Sequence, residues 1–353
     1  MHSTVIRHWV VGLAIVAIGG GVSAAYAQGA FEPPRLADGR PDLQGVWDFR
    51  TLTPLERPED VADKAVLADE EAAEIEARAA ARSAELNAPT SDRDEPLPVG
   101  GDVGGYNHYW LDQGATVVED QRTSLIVDPP NGRLPPLQPG KTMQALSLSA
   151  DLGGTRPNRT RTAGIGTDSY EDRGLAERCL LGFNTGPPIV PGGYNQNIQL
   201  FQTSDYVVIL NEMVHDARVI PIDGRDHLPG HVRQWNGDSR GHWEGDTLVV
   251  ESINFTDKRA SFNPASFTAA GSGETLHLVE RFQLVAENTL RYKYTVTDPV
   301  TFTRPFTVAL PMKRGDVMYE YACHEGNYGL HNMLAGAREQ EKSAASSDSS
   351  GGQ

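Results

Sequence analysis

Tyr206-Val-Val-Ile-Leu-Asn-Glu-Met-Val214 and Thr247-Leu-Val-Val-Glu-Ser-Ile-Asn-Phe255 are the two runs whose reading decides the fold. Both are apolar with a period of two, the pattern of half-buried strands. Between them lies a turn at His215-Asp-Ala217, a third run, Arg218-Val-Ile-Pro-Ile-Asp223, and a turn at Gly224. A polar loop follows, carrying His227, His231, Arg233, Trp235, Asp238, Arg240, His242, Trp243 and Glu244. Strands flanking so polar a connection imply a rigid scaffold that presents a site.

Working outward, strands are expected over 198–202 and 206–214, paired around Thr203-Ser-Asp205, and then over 276–285, 289–298, 301–310 and 317–324. Turns at Glu287-Asn288, Asp298-Pro299 and Arg314-Gly315 make the last four a meander. Leu276, Leu278, Glu280, Phe282 and Leu284 share one face, as do Leu290, Tyr292, Tyr294 and Val296. An opening strand at Gly45-Val-Trp47 brings the count to about eight to ten. The predicted fold is therefore all-β, an antiparallel barrel, with a two-sheet sandwich as the alternative. Gly45-x-Trp47 also resembles the motif that opens the first strand of lipocalin and wider calycin barrels, where the Trp plugs one end.

One long helix is expected over 56–88, between Pro58 and Pro89. Its apolar residues are sparse, which places it on the surface. The aromatic patch Tyr106-Asn-His-Tyr-Trp110 and a short strand over 123–127 follow, then an irregular, Arg-rich stretch over 132–193. The barrel-like domain should run over 28–340, with the helix and loop inserted at about 55–193, and an unstructured Ser/Gly/Ala-rich tail over 341–353.

Residues 1–27 read as a secretory signal: Arg7, an apolar run from Trp9, and Ala25-Tyr-Ala27 before Gln28. The apolar run is shorter than the roughly 20 residues that span a bilayer. Cleavage removes one Arg and no acid, taking the formal charge from -16 to -17. An acidic chain approaches phosphates poorly, which excludes nucleic acid as a partner. The expected location is the periplasm or outside the cell. There the two cysteines, Cys179 and Cys323, should form a disulfide.

Several further stretches carry a resemblance: Gly237-Asp-Ser-Arg-Gly-His-Trp-Glu-Gly-Asp-Thr-Leu-Val-Val-Glu251 and Tyr321-Ala-Cys-His-Glu-Gly-Asn327. They resemble an uncharacterised family of exported proteins of environmental bacteria, a likeness that brings no activity with it.

The candidate acid/base pair is His215 and His324, with Glu212, Asp216, Glu320 or Glu325 as orienting carboxylates. Histidine takes and returns a proton near neutral pH, and a carboxylate neighbour fixes its tautomer. Arg233, Trp235, Arg240, Trp243 and Tyr109 are the candidate substrate contacts. His227-Leu-Pro-Gly-His231 has an i, i+4 spacing, but Pro229 and Gly230 oppose the helix that makes it a metal site, so neither metal nor cofactor is expected. Two functions follow. One is an exported lyase, isomerase or hydrolase using metal-independent acid/base chemistry on a small organic or carbohydrate substrate. The other is a lipocalin-like protein that binds a small ligand without transforming it.

Overall fold

A computed structural model describes residues 31–89, 110–145, 166–265 and 268–350. The strands in chain order are β1 (Gly45–Asp48), β2 (Ile126–Asp128), β3 (Gln144–Ala145), β4 (Asn197–Gln202), β5 (Tyr206–Asn211), β6 (Ala217–Pro221) and β7 (Asp238–Glu244). They continue with β8 (Thr247–Ile253), β9 (Phe262–Ala265), β10 (Thr268–Ala270), β11 (His277–Ala286), β12 (Thr289–Thr297) and β13 (Phe306–Arg314). Two helices, α1 (Asp69–Leu86) and α2 (Tyr328–Ser350), complete the elements that matter here.

Nine strands form a nearly closed antiparallel barrel in the order β6-β5-β4-β1-β13-β12-β11-β8-β7, with β2 paired to β13 off this path. The smaller set β3-β10-β9 forms its own sheet. The expected barrel is thus the fold, and it is lipocalin-like rather than a sandwich. Alternation along each strand fills its interior: Leu248, Phe282, Tyr292, Tyr294, Phe306 and Leu310 are all buried there.

The Gly-x-Trp motif has a direct physical reading. Trp47 is fully buried, and its indole donates to Leu43 O at 2.9 Å. Arg314, its register partner on β13, lays its guanidinium over the ring 4.2 Å from the centroid. Arg314 also donates to Gln44 O at 3.0 Å. Gly45 has a φ of +125°, and a Cβ there would collide with the Arg314 guanidinium. Glycine is favoured because this φ is one that side chains rarely adopt, and its bare Cα also leaves room for the cation that covers the Trp.

Four differences from the sequence reading have physical causes. Strand β13 starts at Phe306, not 301, because Asp298 holds a turn: its carboxylate accepts from Thr301 N at 3.2 Å and Thr275 Oγ1 at 2.8 Å. Pro311 then sits inside a central strand. Ala309 N donates towards Leu125 O, so odd-numbered N–H groups of β13 face β2 and β1. Pro311 falls where β13 passes from β2 to β1, and its missing N–H costs no ladder bond. Second, no strand forms over 317–324. β1 already occupies the edge of β13, leaving a fourth meander strand nothing to pair with; Val317 and Tyr319 are exposed.

Third, β7 lies inside what reads as a polar loop. Ser239, Gly241 and Trp243 face inward opposite Ser252, Val250 and Leu248, while Arg240, His242 and Glu244 face out. Fourth, the helix is shorter than 56–88. Pro58 opens a single tight turn, Glu59–Val61, and α1 begins only at Asp69, where the Glu71 side chain caps Ala68 N at 2.8 Å. The helix α2 reaches Ser350, so residues read as a tail are helical to that point. The secretory signal and Tyr109 lie outside the described residues.

Candidate functional site

The ends of the strand order, β6 and β7, face each other across a seam that no ladder joins among the described residues. The connection between them, residues 222–237, folds back and turns the seam into a groove of about 750 Å³. Asp216, Arg218, Trp235, Asn236, Asp238 and Arg240 line it, with Arg225 and Arg233. Three of the expected substrate contacts, Arg233, Trp235 and Arg240, therefore meet at one place. Trp243 does not join them: it points into the barrel and packs on the main core.

The loop is fixed by one buried carboxylate. Asp238 Oδ2 lies 2.8 Å from His227 Nδ1 and accepts from Leu228 N at 2.8 Å, while Oδ1 accepts from Arg240 Nη1 at 2.6 Å. Arg240 Nε also donates to Asp226 O at 2.9 Å. The far side of the His227 ring faces Glu251 at 3.6 Å, and Glu251 meets His277 at 2.6 Å. The hydrogen bond from His277 is the main reason that the Glu251 carboxyl sits below its ordinary range. Thus His227, whose i, i+4 spacing to His231 is set aside as a metal signal, has its Nδ1 committed to a loop anchor. Nothing local to the sequence announced the Asp238 pairing, since it forms across a chain reversal.

The floor of the groove is an ion pair inside the barrel. Arg218 Nη1 and Nη2 donate to Glu280 at 2.5 and 3.1 Å, and the Tyr292 hydroxyl donates to the same carboxylate at 2.7 Å. Tyr292 in turn accepts from Ile189 N at 3.1 Å. Burial opposes the Arg218 charge, but the Glu280 carboxylate more than offsets it and holds the guanidinium above its ordinary value. Burial, with the Glu280 charge beside it, pushes the Tyr292 hydroxyl well above its usual range. The signal for this group was present: Glu280 stands alone among Leu278, Phe282 and Leu284 on one face of its strand. A lone carboxylate on an apolar face implies a buried partner.

The rim is braced by Asp223 and Arg225. Arg225 Nε donates to both carboxylate oxygens, at 2.9 and 2.8 Å, and Nη2 reaches the Tyr206 hydroxyl at 3.1 Å. These bonds lower the Asp223 carboxyl from 3.8 to about 2. A depressed folded value means that the pair's contribution is complete above the unfolded value and is lost as pH falls through about 2. We expect the Asp223 carboxyl carbon to titrate by NMR with a midpoint near 2. A midpoint at the ordinary 3.8 would show the rim to be unbraced in solution.

His215 precedes Asp216 in a tight turn, Met213–His215, which ends the expected strand early. Val214 and His215 have φ of +63° and +40°. That region is unfavourable for a β-branched residue and is held at a cost of about 1 to 3 kcal/mol. His215 is exposed, with Nδ1 2.8 Å from the carbonyl of Tyr321. A carbonyl only accepts, so Nδ1 carries the proton and the neutral ring keeps its lone pair on Nε2. Asp216 Oδ2 accepts from Asn236 Nδ2 at 2.6 Å at the groove wall.

The other proposed acid/base residues are placed differently. Glu212 is buried and turned towards β4, where its carboxylate accepts from Asn197 at 2.8 Å. Glu320, His324 and Glu325 are exposed on the coil after β13 and do not line the groove. Alternation was the wrong guide at both places, because neither 213–215 nor 317–324 is strand.

Cys179 and Cys323 are bridged, with their Cα atoms 5.8 Å apart. The disulfide suits an oxidising compartment, and among the described residues no helix is long and apolar enough to cross a membrane. The disulfide fits an exported protein.

A second cleft, of about 530 Å³, lies elsewhere and is mostly apolar, with Leu52, Leu55, Leu111, Phe183, Val190 and Tyr194 on its walls. Compared with family models, curated proteins and solved structures, the chain matches none.

Proposed function

We propose that the chain is an exported enzyme, a lyase, isomerase or hydrolase, working by side-chain acid/base chemistry on a small polar substrate in the seam groove. The observation that carries this reading is the His215 ring, tied by Nδ1 to a backbone carbonyl and preceding in sequence Asp216, which lines the groove. A ring so held has one tautomer and a basic Nε2, the arrangement a general base needs. Strain at Val214 and His215 supports it, since such conformations gather where function over-determines the backbone. The groove's guanidinium groups are engaged with protein acceptors, so they shape the walls and the field.

His215→Gln in folded protein is expected to lower turnover by at least about 10²-fold on whichever member of a panel of small esters, lactones and glycosides the wild type transforms. Unchanged turnover in the folded variant would end the reading.

Ligand binding without catalysis is the second reading, and the apolar cleft favours it. It would locate a hydrophobic ligand there, since large side chains fill the barrel interior. Likeness to the family of exported bacterial proteins is compatible with either.

A further inference from the structure

The disulfide lies away from the main core. Cys179 belongs to a small separate cluster with Met213 and Val214, against which Phe183, Tyr194, Tyr321 and Cys323 pack. Cys179, like Val214 and His215, has a positive φ, +55°. Three such residues, none of them glycine, meet at one spot, so the neighbours must hold the conformation. The Tyr321 carbonyl lies at this spot. It accepts from Cys323 N at 2.9 Å and from His215 Nδ1 at 2.8 Å. The segment presenting that carbonyl pairs with no strand of the sheet. It is anchored by the disulfide and by Asn327, whose amide donates to Glu177 O at 2.9 Å.

We propose that the Cys179–Cys323 bond is a positioning element for His215. By fixing the Tyr321 carbonyl against Nδ1, it selects the tautomer that leaves Nε2 as the proton acceptor. The proposal rests on His215 as the base for its catalytic meaning, while its structural content stands apart from that reading. Opening the bond is a two-electron step. A dithiol such as dithiothreitol supplies two electrons and two protons, leaving two protein thiols and its own cyclic disulfide. The Tyr321 segment is then free of its clamp, and the ring is free to adopt the Nε2–H form that dominates in unconstrained imidazole.

The test is the tautomer itself, read by two-bond proton–nitrogen NMR on histidine-labelled protein at about pH 8, where an unperturbed imidazole is neutral. The oxidised protein should show His215 in the Nδ1–H form. Reduction by dithiothreitol, and separately the Cys179→Ser/Cys323→Ser variant, should convert it largely to Nε2–H. The His277 signals, from the barrel wall, should stay unchanged and report an intact fold. His215 remaining Nδ1–H with both thiols free would overturn the proposal. So would loss of the fold in both the reduced and the substituted protein, which would make the bond a structural clamp alone. Turnover separates the two claims. A tautomer that follows the bond while His215→Gln keeps full activity sinks the catalytic reading and keeps the positioning role. A tautomer indifferent to the bond, with His215→Gln inactive, does the reverse.

Discussion

Glu280→Ala should cost about 3 to 5 kcal/mol of folding stability, because it leaves the Arg218 guanidinium buried with its charge uncompensated. Glu280 is wholly buried, and it receives two bonds from Arg218 and one from Tyr292. Its removal strips a partner from each of these groups at once, deep in the barrel, where water cannot replace it. The pair need not be a net source of stability. Replacing both members, as in Arg218→Met/Glu280→Leu, is expected to be near neutral or stabilising, since neither desolvation penalty remains. Urea unfolding of the three proteins decides it. A single variant within 1 kcal/mol of wild type, on the scale of an ordinary surface change, would mean that the interior admits water.

Trp47→Ala is the second large effect, about 3 to 5 kcal/mol, from lost burial together with the cavity left behind. The indole is wholly buried in the core, and the Arg314 guanidinium lies on it 4.2 Å from the centroid. Without the ring, that cation loses its platform as well as the packing of its stem. Trp47→Phe should recover most of the loss, whereas Gly45→Ala should be destabilising, because the backbone there has a φ of +125° that a side chain rarely adopts. Equal unfolding midpoints for Trp47→Ala and wild type would mean that the ring's burial contributes nothing to the core.

The barrel was legible because most of its strands carry a two-residue apolar period, and β11 and β12 sit within a residue of where alternation places them. β7 was not legible. Its outward residues are Arg240, His242 and Glu244, and its inward ones include Ser239 and Gly241, so no apolar stripe marks it. The segment after β13 misled in the opposite sense. Its side chains alternate, but strand formation depends on a free edge, and topology rather than local sequence decides whether one exists. The same division runs through the site. Arg233, Trp235 and Arg240 converge because they share one connection. His215 meets Tyr321 across 106 positions, and His227 meets Asp238 through a reversal of the chain. Such contacts have no period to betray them.

The unjoined seam between β6 and β7 has a consequence for how the barrel breathes. Strands β11, β12 and β13 are bonded on both sides, whereas β6 and β7 each hold the sheet by one side only. Local opening draws first on the least tethered elements, so amide exchange should be fastest along these two edges and slowest around β12. The same two edges wall the groove. A molecule seated there would lie against both loose margins of the sheet and bind the closed form in preference to the opened one. Occupancy is then linked to fold stability by mass action, and it tightens the part of the molecule that otherwise lets go first.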